Sequence, residues 1–296
     1  MTSKLFNVEL IPAIRRLQLL AAESVTTKTT GEHKSVFKGK GLEFSDYREY
    51  TSNDDASLID WKASSRAQKT LIREYVEERD VNILFALDVS SSMLFGSTEK
   101  LKNEYAIELV ASLAHATSEA GDSVGLCLYN DKIVSKALPE QGPQQFYKLS
   151  KLLLDTESYG GNSSLEPLEK FVMNSLKSTT VIMIISDFMG LPPNWPDSIK
   201  KLASKFDIIG VRVVDPRDKT LPEGNEQVVI NDPYSNQELI IEPKLLKKAY
   251  EEEAKKQERI ITEAFTHNKA KILTVETDKS FVKPIINFFR GQAVGV

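Results

Sequence analysis

The sequence predicts an α/β protein: a doubly wound, mostly parallel sheet with helices on both faces, preceded by a small N-terminal α+β subdomain. Three observations carry this expectation. Beyond Asp80, short apolar runs alternate with segments of helical periodicity. The runs Val81–Leu87 and Thr180–Ile185 are nearly unbroken in Ile, Val, Leu and Phe, as strands buried on both faces must be. By contrast, Leu42–Arg79 mixes aromatic residues with many charges and lacks that alternation. The expected division is therefore 1–79 for the N-terminal helix and subdomain and 80–296 for the sheet domain.

Along the chain, Val8–Glu23 places Ile11, Ile14, Leu17 and Leu20 at three-residue spacings, with Leu19 beside them, which predicts an amphipathic helix. Ser24–Gly41 is polar and aperiodic, an exposed loop whose lysines read as a solvated face. Leu42–Arg79 predicts short strands and a helical turn. Val81–Leu87 is then a strand and Glu99–Glu119 a helix. Ser123–Tyr129 and Ile133–Leu138 flank the turn formers Asn130 and Asp131 as a hairpin. Helix Pro143–Leu154 and a loop to Ser164 follow. Next come helix Leu165–Leu176, strand Thr180–Ile185, helix Pro196–Phe206 and strand Ile208–Val214. Gln227–Ile241 predicts a hairpin turning at Pro233–Asn236. Helix Pro243–His267, strand Lys271–Val275 and helix Ser280–Phe289 close the domain.

Composition excludes several classes. The chain has 296 residues, 41% hydrophobic and 27% charged, so collagen-like and wholly disordered readings fail. Lys plus Arg number 38 against 42 Asp plus Glu, a net charge of −4, which gives no global attraction for nucleic acid or anionic lipid. The single cysteine, Cys127, lies in an apolar run; it can form neither an intrachain disulfide nor a cysteine-rich zinc cage. His33, His115 and His267 are scattered, and no zinc site is expected. The apolar runs are far shorter than the roughly 20 residues of a membrane span, and Met1–Pro12 lacks a signal-peptide stretch. A cytoplasmic location is expected. Neither a Gly-x-Ser-x-Gly elbow nor a Gly-x-x-x-x-Gly-Lys-Ser/Thr phosphate loop is present.

In a doubly wound sheet the ligand crevice lies beyond the carboxyl ends of the strands. The first such strand ends in Asp88-Val89-Ser90-Ser91-Ser92, a carboxylate with alternate hydroxyls on one turn. Read alone, this turn is equally a helix cap. A later strand ends at Ser186-Asp187 on the same rim, and the loop Gly160-Gly161-Asn162-Ser163-Ser164 offers close backbone approach and further hydroxyls. Oxygen donors of this kind suit a hard divalent ion such as Mg²⁺.

These three segments resemble the metal-ion-dependent adhesion site of von Willebrand factor type A domains, over about Val81–Glu276. The resemblance implies a von Willebrand A-like fold and a magnesium or manganese site. It implies as ligands Asp88, Ser90, Ser92, Ser163 and Asp187, the last often through water. Ser163 stands where that family usually has Thr, and Asn162 and Ser164 remain alternatives to it.

The preceding segment narrows the resemblance. Gly41-Leu42-Glu43-Phe44, Tyr47-Arg48-Glu49-Tyr50, Asp54-Asp55, Ile59-Asp60-Trp61-Lys62, Ala63–Arg66 and Arg73-Glu74-Tyr75 resemble, in order, the signature of the domain-of-unknown-function family numbered fifty-eight. This chain departs from it at Asn53-Asp54-Asp55-Ala56-Ser57, where the family tends to Gly-Asp-Asp followed by Arg. Within the signature, Arg48, Asp60 and Arg66 are expected in ion pairs, and Tyr50 and Trp61 in packing. The resemblance implies a prokaryotic partner protein of a MoxR-type AAA+ ATPase.

The function expected is a non-enzymatic, metal-dependent protein-interaction module in which an Asp or Glu of the partner completes the Mg²⁺ sphere. The alternative is a Mg²⁺-dependent phosphohydrolase with Asp88 as nucleophile. Ser90 stands two residues on, where such enzymes usually carry a second Asp, and a serine hydroxyl does no acid–base work near neutral pH. A third reading has the ion holding the loops with no partner reaching it. The geometric wager fails if Asp187 faces away from Asp88, or if a lysine of the chain plugs the pocket.

Overall fold

The computed structural model describes residues 6–25, 43–51, 54–76, 81–224, 226–235 and 237–293. The polar stretch 24–41 falls almost wholly outside them, as do His33, Gly41, Leu42 and Asn53. By contacts the chain divides into two units, residues 37–81 and residues 1–36 with 82–296.

Within residues 37–81, β1 (Glu43–Glu49) pairs antiparallel with β2 (Leu71–Val76). Between them, helix α2 (Trp61–Ala67) begins at Asp60, whose Oδ1 accepts from the Lys62 and Ala63 amides at 3.0 and 3.1 Å. Its other oxygen accepts from the Tyr47 hydroxyl at 3.0 Å. Asp60 thus caps the helix. Arg48 grips both oxygens of Asp54 at 2.7 Å, a two-pronged pair that, with the Thr51 amide and hydroxyl, holds the Asp54 carboxyl well below the usual range. Trp61, expected to pack, is 71% exposed: it opens a two-turn helix with no buried residue.

The larger unit starts with helix α1 (Leu10–Val25), which lies with the sheet domain. Ala13 and Leu17 are buried, and the Asn7 and Glu9 amides donate to the carboxylates of Glu104 and Glu108 on α3 (Lys102–Glu119). The central sheet contains β3 (Asn82–Asp88), β4 (Ser123–Tyr129), β5 (Ile133–Glu140), β6 (Thr180–Ser186), β7 (Asp207–Val214) and β10 (Lys271–Glu276), in the order β10-β7-β6-β3-β4-β5. Every pair is parallel except β4 with β5, the hairpin. Between them run α4 (Pro143–Leu153), α5 (Glu166–Ser175), α6 (Trp195–Ala203), the single turn α7 (Pro216–Lys219), α8 (Pro243–Thr266) and α9 (Val282–Ala293). A separate hairpin, β8 (Val228–Asn231) with β9 (Glu238–Ile241), stands outside the sheet.

Helices α5, α6 and α8 cover one face through Leu84, Ala86, Ile182, Ile184, Leu168, Ile199 and Phe265. Helices α3, α4 and α9 lie on the other. Both faces being covered explains why the middles of β3, β4 and β6 are apolar and the strands buried almost from end to end. Gly210 on β7 is required because a Cβ there would meet the Phe265 ring at 2.6 Å. Cys127 is buried and free, and His115 packs edge-on to Phe146. Among the described residues no helix is long and apolar enough to cross a membrane.

The doubly wound expectation holds, with helix ends differing by a few residues. The largest shift is at the end of α9, expected at Phe289 but reaching Ala293; α3, expected from Glu99, starts at Lys102. Residues 95–101 form a loop tied down by the Leu101 amide donating to Glu104 Oε2 at 2.9 Å. The order places β3 between β4 and β6, so connections leave β3 and β6 in opposite directions. That is the switch point where the two strand ends open a crevice.

Candidate metal centre

Strand β3 delivers Asp88 to this crevice and β6 delivers Ser186 with Asp187. The backbone then turns: the Ser90 amide donates to Asp88 Oδ1 at 2.9 Å, and Ser91–Leu94 forms a 3-10 turn. This carries Ser90 and Ser92 inward, their hydroxyls 3.3 Å apart. The third segment is stitched on by backbone. Gly160 donates to the Val89 carbonyl at 2.6 Å, and Ser91 donates to the Gly161 carbonyl at 2.9 Å. The Asn130 amide group donates to the Gly160 carbonyl at 2.7 Å. Gly160 and Gly161 have φ of 125° and 88°, and a Cβ on Gly161 would meet Asn130 at 2.9 Å, so the loop needs both glycines.

The five expected ligands come together. Ser163 Oγ donates to Asp88 Oδ2 at 3.1 Å, and Ser92 Oγ donates to Asp187 Oδ1 at 3.1 Å. Of the three second-loop alternatives, Asn162 is exposed and the Ser164 hydroxyl accepts from the Glu166 amide, whereas Ser163 reaches Asp88. Asp88 and Ser90 are wholly buried, and Ser92, Ser163 and Asp187 are at most 5% exposed.

Several residues that the sequence did not mark as ligands complete the site. Ser186 Oγ donates to Asp88 Oδ2 at 2.7 Å and accepts from the Phe188 amide. Tyr129, opposite Asp88 in register, puts a fully buried hydroxyl beside Ser186 and Asp88 without a good hydrogen bond. Lys102, at the start of α3, is 2% exposed and sets its ammonium 2.6 Å from Asp187 Oδ2 and 3.2 Å from Asp218 Oδ2. Burial opposes that charge, but the two carboxylates outweigh it and hold the lysine above its ordinary range. Tyr234, at the tip of the β8–β9 hairpin, donates to the Met189 carbonyl at 3.2 Å. A buried lysine in a helix that otherwise reads as amphipathic leaves no periodic signal; a hairpin tip carries none of its destination.

Asp187 therefore faces the Asp88 cluster through Oδ1, while a lysine of the chain sits on its far oxygen. Among the described residues Lys102 makes no hydrogen bond to Asp88, Ser90, Ser92 or Ser163. Lys102 neutralises Asp187 and leaves Asp88 without a cation. Burial, and then the charge of Asp187, push the Asp88 carboxyl up to about 6.

The donor chemistry fits a hard divalent ion. One buried carboxylate lacks a counter-charge, which is costly, and three hydroxyls and the orphaned Tyr129 hydroxyl surround it. No three His, Cys, Asp or Glu side chains cluster as a metal site among the described residues. Because the Lys102 ammonium already neutralises Asp187, that carboxylate is suited to hold such an ion through water rather than directly.

An uncharacterized protein of Mycobacterium tuberculosis is 23% identical over 291 residues, covering 97% of this chain and 91% of its own. Similar solved structures include BatB from Bacteroides thetaiotaomicron, with 16% identity, TM-score 0.47, and coverage of 72% of this chain and 98% of that one. Another is the SpRpn10 VWA domain, with 10% identity, TM-score 0.39, and coverage of 71% and 95%. The profile described as "Protein of unknown function DUF58" matches residues 46–260, which include the signature segment from Tyr47 and every candidate ligand, and the chain belongs to that family.

Proposed function

We propose that this protein is a metal-dependent protein-interaction module of the cytoplasm, with Mg²⁺ or Mn²⁺ held by Asp88, Ser90, Ser92 and Ser163, and by Asp187 through water. The observation that carries the reading is the Asp88 carboxylate, fully buried among converging hydroxyls with no cation partner among the described residues. A divalent ion supplies the missing charge, and an open coordination position then takes an Asp or Glu of another protein in a charge-assisted bond. The family resemblance, not the geometry, supplies the partner class: a MoxR-type AAA+ ATPase.

The phosphohydrolase alternative is weaker. The place two residues after Asp88, where an aspartyl-phosphate enzyme usually carries a second Asp, is taken by Ser90. No group beside Asp88 does acid–base work in that place.

The test is association with a purified MoxR-type ATPase from the same cell. Binding is expected with Mg²⁺, and is lost with chelator and in Asp88→Ala. Association that survives both overturns the proposal, and turnover of p-nitrophenyl phosphate lost in Asp88→Asn favours the enzyme.

A further inference from the structure

With every proposed ligand nearly buried, a carboxylate from another chain has no route to the ion unless something moves. We propose that the β8–β9 hairpin is a closed lid over this site, latched by Tyr234, and that partner binding requires the hairpin to swing outward. This rests on the metal-dependent reading for what the lid excludes, but the lid itself stands on protein contacts alone.

Tyr234 is seated on the loop that follows Asp187. Its hydroxyl donates to the Met189 carbonyl at 3.2 Å, and the Met189 amide donates to Asp187 Oδ1 at 2.9 Å. The hydroxyl end of the ring abuts Gly190, where φ is +67° and any Cβ would collide with the phenol. The same hydroxyl lies beside those of Ser92 and Ser90. It thus seats the hairpin tip against the loop that carries Asp187.

The hairpin is built to move. Its strands are four residues each and join neither the central sheet nor the β1–β2 ribbon; a two-stranded ribbon is marginal by itself. Val229, Leu239 and Ile240 are 57–65% exposed, so little packing holds the ribbon down. Leu221 and Ile241 are buried and anchor its two feet, and Gly224, with φ of +141°, precedes β8 as a hinge. The tip keeps its shape through Asp232, which accepts from the Tyr234 amide and the Ser235 hydroxyl, so Tyr234 leaves or enters with the whole turn.

Hydrogen exchange by mass spectrometry, together with water-proton relaxation of bound Mn²⁺, tests this on the full chain. Tyr234→Ala removes the latch. Gly190→Ala expels the ring while keeping the phenol. Both variants are expected to exchange the amides of 89–93 and 187–190 at least tenfold faster than wild type, with β3, β4 and β6 unchanged. Bound Mn²⁺ in Tyr234→Ala is expected to gain at least one fast-exchanging water. Unchanged exchange in both variants overturns the lid, as does an equal water count on Mn²⁺ bound to wild type and Tyr234→Ala. If Mn²⁺ binds neither protein while exchange accelerates, the lid stands and the metal reading falls.

Discussion

Asp88→Asn, followed across pH in metal-free buffer, isolates the charge on which the site is built. The wild-type carboxyl moves from 3.8 in the unfolded chain to about 6 in the folded one, chiefly through burial. That shift of roughly two units, at about 1.4 kcal/mol each, amounts to about 3 kcal/mol. Because the folded value is the higher, the native state binds the extra proton between pH 4 and 6. Stability therefore falls as pH rises through that window. Below pH 4 the group contributes nothing, and above pH 6 the full cost remains. Asparagine does not titrate, so its altered hydrogen bonds add only a constant. Urea unfolding of both proteins at half-unit steps should show wild type losing about 3 kcal/mol relative to Asp88→Asn between pH 4 and 7. Excess Mg²⁺ at pH 7 should restore about that much to wild type alone, as expected near a hundredfold excess over Kd. A stability difference that stays flat, or that grows in favour of wild type as pH rises, refutes the reasoning, because a cation must then already sit beside Asp88.

Lys102→Met strips the counter-charge from Asp187 and Asp218 and should cost about 3–5 kcal/mol by urea unfolding, the usual penalty for orphaning a buried ion; a loss below about 1 kcal/mol contradicts the buried triad. Gly125→Ala places a Cβ 2.8 Å from the Pro139 nitrogen on β5, and since backbone cannot retreat it should destabilise by about 1–3 kcal/mol, with an unchanged midpoint as the contrary result. Cys127, buried with its thiol pushed up to about 12, should react with Ellman's reagent at pH 8 at least a hundredfold more slowly in the native protein than in urea. Comparable rates would place it at the surface.

The sheet was legible because both-face burial leaves continuous apolar runs, and β3 and β6 are of that kind. Their ends carry Asp88 and Asp187, and topology alone brings these together, so the carboxylates and the Ser90 and Ser92 hydroxyls could be read from spacing and strand order. Ser163 was not separable from its neighbours, because three adjacent polar residues differ only in which way the loop faces. Lys102 was not legible at all. Its burial is a long-range electrostatic consequence of Asp187 and Asp218, 85 and 116 residues away, and no local pattern encodes it. Tyr234 is similar: the hairpin is visible in the sequence, but its landing on Gly190 is decided by chain packing between β7 and α8. Trp61 shows the opposite error, an aromatic residue assigned to a core that its short helix does not make.

The most direct measurement is isothermal titration of Mn²⁺ into the metal-free protein at pH 7.5, beside an Asp88→Ala variant whose circular dichroism matches wild type. One ion per wild-type chain and none in the variant is the predicted result. No heat in wild type, or the same binding in both, contradicts a cation held by Asp88 and its serines.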